Sequence, residues 1–109
     1  METKEKSLQE LQQILTGLEM LHQNQDQVSS YLLEYLHQAL YIFRYLFRNG
    51  YTDEQPSHVI NYCIMKLEFA KKQIENDDIE EGLKFTKSVI SYFLKEISIV
   101  EESEELDLV

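Results

Sequence analysis

The stretch YLLEYLHQALYIFRYLFRNGY, residues 31–51, decides the fold expected of this chain. It contains seven of the twelve aromatic residues and offers few polar positions. Its apolar residues recur at the three- and four-residue spacing of a helix. We expect that helix to run from about Asp26, an N-cap candidate, to Asn49, because Gly50 is the residue type that commonly ends a helix.

The segments on either side carry the same periodicity. The connectors between them are short, and the chain contains one proline and three glycines. Short connectors force neighbouring helices to reverse direction. The sequence therefore predicts an all-α, antiparallel up-down four-helix bundle. Its predicted helices cover about residues 7–23, 26–49, 57–75 and 78–100.

Local signals support the ends of these helices. Ser7 with Glu10 fits a capping box, and Pro56 suits the first turn of the third helix, where its missing donor would have no partner anyway. Asp77 or Asp78 can cap the fourth helix. A single domain over residues 1–100 follows, and the segment 101–109, EESEELDLV, is predicted to be a flexible acidic tail.

Composition narrows the class of protein. The formal charge is −10, with 20 acidic and 10 basic residues, and a surface of that sign repels a polyanionic backbone. Nucleic-acid binding is therefore disfavoured. No apolar run approaches the ~20 residues that span a bilayer, so the sequence predicts no membrane span.

The chain's one cysteine, Cys63, excludes an intramolecular disulfide. The charged start METKEKSLQE has no apolar core of the kind that a secretory signal needs. Both features indicate a cytoplasmic protein.

The second predicted helix has more apolar surface than one core face takes up. A bundle helix buries a stripe somewhat over 100° wide, yet the polar positions here form only one narrow stripe. Tyrosine and arginine are enriched at protein interfaces. We therefore expect this helix to line a partner surface or a homodimer interface. The candidate partner-binding residues are Tyr31, Tyr35, Tyr41, Arg44, Tyr45 and Arg48.

Two other interpretations of the same residues stay open. The tyrosines can snorkel, with their rings at the core edge and their hydroxyls in water. A membrane surface is the other alternative, since YIFRYLFR mixes aromatic residues with arginine, but the acidic charge argues against it.

A second apolar stripe on the third helix, formed by Tyr62, Met65 and Phe69, also exceeds the needs of a monomer.

Metal binding is the alternative from a different functional class. The pairs Glu19/His22 and Glu34/His37 have the Glu-x-x-His spacing that di-iron four-helix proteins use. Glu34 and His37 lie on the polar stripe of the second helix, and the two pairs lie at different distances from the turn between their helices, about five and about ten residues. We therefore expect solvated groups and no cofactor.

No enzyme motif is present. Cys63 lies on the core side of its helix, where a free cysteine commonly behaves as a small hydrophobic residue. His58 lies about 140° round that helix from Cys63, so the two do not form a nucleophile and base pair. Serine elbows, glycine-rich phosphate loops and cysteine pairs are missing.

Residues 59–97, VINYCIMKLEFAKKQIENDDIEEGLKFTKSVISYFLKEI, resemble the helical hairpins of tetratricopeptide-type repeats and of flagellin-export chaperones. A helix ending in a charged turn is followed by an amphipathic return helix, with Gly82 as the small residue early in it. The likeness to the chaperones implies a helix-binding function. The sequence thus favours a small adaptor, inhibitor or chaperone-like regulator; a permanent structural subunit has the same signature.

Overall fold

The structure, a computed structural model, describes residues 4–22, 24–50 and 54–107, with side chains described for 4–22, 24–49 and 57–97. Four α-helices make up this part of the chain, and it contains no strand. A π-helical turn, Leu46–Gly50, continues the second helix. The all-α four-helix prediction is confirmed. The helices are α1 (Lys4–Glu19), α2 (Val28–Tyr45), α3 (Glu54–Glu75) and α4 (Ile79–Asp107).

The helices surround one core, within overall dimensions of 50 × 26 × 22 Å. Helix α1 contacts α2 and α4, and α3 and α4 share the most extensive contact. Helix α2 also reaches α4 across the bundle, and there Phe43 and Phe93, both fully buried, meet edge to face with ring centroids 4.9 Å apart. None of the described helices has a stretch apolar and long enough to cross a membrane.

The first two helix starts differ from their predictions. Helix α1 begins at Lys4, so Ser7 lies inside the helix and is buried, and the predicted capping box with Glu10 is wrong. The residue before α2 is Gln27, whose φ of 59° is left-handed and whose side chain makes no capping hydrogen bond. Asp26 is therefore not the N-cap. A turn formed by residues 24–27 takes the place that a capping carboxylate was expected to fill.

The turn between α3 and α4 follows its local chemistry closely. Asp77 takes a φ of 68°, and its N–H donates to the Ile74 carbonyl at 3.0 Å while the Asp78 N–H donates to the Gln73 carbonyl at 2.8 Å. These two bonds form a Schellman motif, which satisfies the last carbonyls of a helix. The Asp78 carboxylate accepts from the Glu81 N–H at 3.4 Å, so the predicted cap at Asp78 is confirmed.

Helices α3 and α4 are both longer than predicted. Helix α3 starts at Glu54, three residues early, with Pro56 in its first turn as expected. Helix α4 continues to Asp107, so its predicted end at residue 100 is wrong and the backbone of 101–107 is helical. The side chains from residue 98 onward lie outside the described set. A separate flexible tail from residue 101 is not confirmed.

Gly82 allows α3 and α4 to approach closely. A Cβ atom added there would lie 2.3 Å from Cγ1 of Ile74 and 3.5 Å from the Ala70 carbonyl oxygen. Ile74 is buried, with 4% of its surface exposed, so it has little room to move. We expect Gly82→Ala to lower the free energy of unfolding by about 1–3 kcal/mol, since overpacking outweighs the higher helix propensity of alanine. Urea unfolding measures this change.

Gly17→Ala is the matched control. Its added Cβ would lie 2.5 Å from the Tyr35 hydroxyl oxygen, which is the far end of a half-exposed side chain that can swing aside. The unfolding free energy should therefore change by less than about 1 kcal/mol. If Gly82→Ala cost no more than Gly17→Ala, close packing at Gly82 would not be what joins α3 to α4.

Candidate protein-interaction surfaces

Eight large apolar side chains are exposed among the described residues. Tyr31 and Tyr41, together with Arg48, define what we call the α2 surface, and Phe47 is exposed on the π-helical turn that follows. Four others lie on α3 and α4 and define the α3–α4 surface: Tyr62, Met65, Phe69 and Tyr92. The eighth, Met20, follows the end of α1.

Helix α2 buries more of its apolar surface than we expected from its sequence. It contacts α1, α3 and α4, so three other helices pack against it. Contacts with three helices therefore cover more of α2 than a single core stripe would, while Tyr31 and Tyr41 stay exposed. The buried residues of α2 and its π-helical turn are Val28, Leu32, Leu36, Ala39, Leu40, Ile42, Phe43 and Leu46.

The six predicted partner-binding residues divide into three groups. Tyr31 and Tyr41 are exposed, at 44% and 68%, and Arg48 is exposed with them. Tyr35 and Tyr45 are half-buried and pack against the core. Arg44 is exposed and forms an ion pair with Glu68. The polar stripe predicted for this helix does face outward, at Ser30, Glu34, His37, Gln38, Tyr41, Arg44 and Arg48.

Arg44 forms an ion pair with Glu68 of α3. Its Nη2 donates to the Glu68 Oε1, and both side chains are about half exposed, at 51% and 41%. Ion pairs in such positions contribute about 0–1 kcal/mol. The pair fixes the direction of Arg44 along the α2–α3 boundary. When a partner binds the α2 surface, this guanidinium is therefore already paired with Glu68.

A groove of about 690 Å³ runs between α1 and α2. The Tyr35 ring lies over Gly17 on α1, which has no side chain to block it. The apolar lining of this groove includes the buried Ile14 and Ile42 and the exposed Tyr41. The lining residues are Glu10, Gln13, Ile14, Tyr35, His37, Gln38, Tyr41 and Ile42.

The α3–α4 surface is an ordered cluster of rings around one lysine. Tyr62 and Tyr92 meet with centroids 5.9 Å apart, and Phe69 and Phe85 with centroids 5.3 Å apart. Between these pairs, the Lys66 Nζ lies 5.4 Å from the Tyr62 centroid and 5.9 Å from that of Phe85. Ammonium groups at such distances are attracted to ring faces. The cluster borders a shallow groove of about 340 Å³.

Sequence reasoning noted part of this surface but did not name it as a site. The stripe of Tyr62, Met65 and Phe69 is visible in the sequence, whereas its counterpart on α4, Phe85 and Tyr92, was not singled out. Only the antiparallel register of α3 and α4 pairs the two sets. Partial burial raises the pKa of the Tyr92 hydroxyl, and the nearby Glu96 carboxylate adds to this rise. Tyr92 is therefore a neutral hydrogen-bond donor at physiological pH.

The candidate metal ligands do not come together. Glu19, His22, Glu34 and His37 are all exposed. No group of three or more histidine, cysteine, aspartate or glutamate side chains that could hold a metal ion occurs within the described part of the chain. Helix α1 ends at Glu19, so His22 lies in the connector, and only the pair Glu34 and His37 lies within a helix. The described part of the bundle does not bring the two pairs together.

Cys63 is fully buried, as its position on the core side of α3 predicted. Burial raises the pKa of its thiol from the ordinary value of 9.0 to about 12. The side chain therefore stays a neutral thiol at physiological pH and packs as a small hydrophobic residue.

Comparison with protein-family models gave no match, and neither did comparison with curated proteins or with solved structures. The resemblance of residues 59–97 to repeat and chaperone hairpins stays a prediction, although these residues do form a helical hairpin with Gly82 at its close contact. What the chain binds has to be inferred from its own surfaces.

Proposed function

We propose that this protein is a non-enzymatic protein-interaction module, a small cytoplasmic adaptor, inhibitor or chaperone-like regulator. It binds a helical segment of another protein through the α2 surface and the adjoining α1–α2 groove. The observation that carries this proposal is Tyr41, a large ring that is 68% exposed beside an apolar groove.

The chemistry of this region suits a helical partner. An amphipathic helix binds by placing a few apolar side chains in a groove, spaced by one turn. Ile14, Ile42 and the Tyr35 ring belong to the apolar part of the α1–α2 groove lining. Tyr41 and Arg48 then provide large contact area with polar tips, as interface anchors do. The carboxylate of Glu10 lies in the lining, so a partner with a basic residue beside its apolar stripe is complementary in charge.

A homodimer through the α2 surface would use the same residues. In that case a second copy covers Tyr31 and Tyr41, and the mass in solution doubles. Binding of a metal or a small ligand by Glu19, His22, Glu34 and His37 is the weaker alternative, because these side chains do not converge.

Tyr41→Ala is expected to weaken binding to the partner by about 1–3 kcal/mol, because truncating an interface anchor costs that much. Tyr41 is largely exposed, so the unfolding free energy should change by no more than about 0.5 kcal/mol. Affinity capture from the source cells with immobilised wild-type and variant protein, followed by quantitative mass spectrometry, identifies proteins that the variant loses. Calorimetry with the purified partner then gives the free energy of binding.

Tyr62→Ala is the matched control, since it makes the same chemical change at a tyrosine that is 48% exposed on the α3–α4 surface. It should retain the partner. A partner that is kept by Tyr41→Ala and lost by Tyr62→Ala would contradict the assignment to the α2 surface.

A further inference from the structure

Two pairs of rings lie at two levels of the α3–α4 surface. Tyr62 and Tyr92 form one pair, with centroids 5.9 Å apart, and Phe69 and Phe85 form the other, with centroids 5.3 Å apart. Ser88 lies three residues after Phe85 and four before Tyr92, so it marks the middle of the surface. Turning the surface end over end about Ser88 therefore brings each pair to the level of the other.

The exposed apolar residues of α3 repeat at the spacing of a helix-packing seam. Tyr62, Met65 and Phe69 follow one another at three and four residues and are 48%, 63% and 46% exposed. Such spacing keeps the side chains on one stripe, and helices that carry it pack against each other. Aromatic residues and methionine are also enriched at protein interfaces. This stripe is therefore suited to packing against a helix of another molecule.

Charged side chains of both signs border these rings. Lys66 lies between the two ring pairs, Lys84 and Glu81 line the adjoining depression, and Glu96 lies beside the tyrosine pair. An acidic partner would meet Glu81 and Glu96, and a basic partner would meet Lys66 and Lys84. A partner of a single charge sign is therefore not complementary to this face, whereas a partner that carries both signs is.

The order of the charges along α4 is complementary to a copy of itself. Glu81 lies seven residues before Ser88 and Lys95 seven residues after it, and both are exposed. Seven residues are almost two turns, so both side chains lie on the same side of α4 as Ser88. Glu96 is half-buried and lies about 100° further round the helix, so Lys95 is the more exposed charge at this level. An antiparallel copy of α4 centred on Ser88 therefore sets Glu81 of each copy opposite Lys95 of the other.

We propose that two copies of this chain associate face to face through the α3–α4 surface, about a two-fold axis at the level of Ser88, with their α4 helices antiparallel. Glu81 of each copy pairs with Lys95 of the other, and Tyr62 of each packs on Phe69 of the other. Every contact occurs twice, as two-fold symmetry requires. The small side chain of Ser88 lets the two helices approach closely at the axis. This interface is separate from the α2 surface and does not depend on the proposed function.

The other two lysines fit the same arrangement. Lys84 lies four residues before Ser88 and Tyr92 four after it, so each Lys84 ammonium faces the Tyr92 ring of the other copy, an attractive placement. The two Lys66 side chains approach each other near the axis, each over the rings of its own copy. Lys66→Met removes this like-charge contact and keeps the apolar stem, so it should lower the dissociation constant about 2- to 5-fold.

Sedimentation equilibrium over a hundredfold range of concentration tests the proposal. The wild-type chain should be a dimer. Glu81→Lys and Lys95→Glu each place like charges at both contacts, so each should raise the dissociation constant about 10- to 100-fold. The matched controls, Glu80→Lys and Lys87→Glu, make the same charge changes at residues that line the α1 side of α4 together with Leu21. They should leave the constant within about 3-fold of the wild-type value, because salt screens charges outside the interface.

Mixing the two interface variants gives the sharper result. In a complex of one Glu81→Lys chain with one Lys95→Glu chain, one contact joins the two introduced side chains and the other joins the two native ones. Both contacts again pair opposite charges, so the mixture should form a 1:1 complex under conditions where either variant alone is monomeric. Circular dichroism shows whether both variants are folded. If Glu81→Lys unfolds, Glu81→Gln should still raise the constant about 2- to 5-fold.

Four outcomes would overturn the proposal. They are a wild-type chain that stays monomeric at every concentration, a dimer that tolerates Glu81→Lys and Lys95→Glu as well as it tolerates their controls, and a mixture of these variants that associates no more tightly than either alone. The fourth is a dimer that is lost in Tyr41→Ala instead, which would place self-association on the α2 surface.

Discussion

Phe43→Ala is expected to lower the free energy of unfolding by about 3–5 kcal/mol, the range for removing a buried aromatic side chain. Phe43 is fully buried and meets Phe93 edge to face, with ring centroids 4.9 Å apart and planes at 82°. This contact joins α2 to α4 across the bundle, so the cavity opens where no helix can easily move in. Urea unfolding followed by circular dichroism gives the loss.

The matched control is Phe47→Ala, the same chemical change at a side chain that is 44% exposed on the next turn. The loss of unfolding free energy should be less than half of that in Phe43→Ala, because folding of the chain removes less apolar surface from water at Phe47. Equal losses at the two positions would show that the Phe43 ring is not the centre of the core. If Phe43→Ala does not fold, a double-mutant cycle with Phe43→Leu and Phe93→Leu should still show a coupling of about 0.5–1.5 kcal/mol.

Stability should fall at alkaline pH because of Cys63. The folded thiol has a pKa of about 12 against an ordinary value of 9.0, so the unfolded chain releases this proton first. The stability that the protonated Cys63 thiol contributes is fully present below pH 9. It is lost as pH rises toward 12, at about 1.4 kcal/mol per pH unit. Between pH 9 and pH 11 the unfolding free energy should drop by about 2 kcal/mol from this group.

Cys63→Ala isolates that effect. The variant is less stable at neutral pH because it loses buried volume, but the part of the slope that comes from the thiol disappears. Subtracting the two pH profiles, each measured by urea unfolding, cancels the tyrosines and lysines that both proteins share. A difference that stays constant from pH 8 to pH 11 would mean that the Cys63 thiol is not protected from ionisation by the fold.

The existence of all four helices could be predicted from the spacing of apolar residues, because that spacing decides which side chains reach a common core. Leu11, Leu18, Ile60 and Ile90, which carry this spacing on α1, α3 and α4, are fully buried. The turn at Asp77 and Asp78 could also be predicted, since the residues that cap the two helices lie within a few positions of one another. Signals of this kind are local and need no knowledge of the neighbouring helices.

Helix ends and surface assignments depended on information that is not local. Tyr35 and Tyr41 are indistinguishable as residue types, yet the first rests over Gly17 while the second is exposed. The rotation of α2, which is set by contacts with three other helices, makes this difference. The pairing of Tyr62 with Tyr92 likewise depends on the α3–α4 register. The change from α-helix to π-helical turn at Leu46 has no signature in LFRNG.

The unequal contacts between the helices also bear on the order of folding. Helices α3 and α4 share the most extensive contact and are joined by a turn of only three residues, 76–78. Bringing them together closes a very short loop, whereas seating α1 on α4 requires most of the chain to be enclosed, at a greater cost in entropy. Early assembly of the α3–α4 hairpin is therefore favoured over early docking of α1. The face that carries the ring cluster around Lys66 would then be complete before the rest of the core has closed.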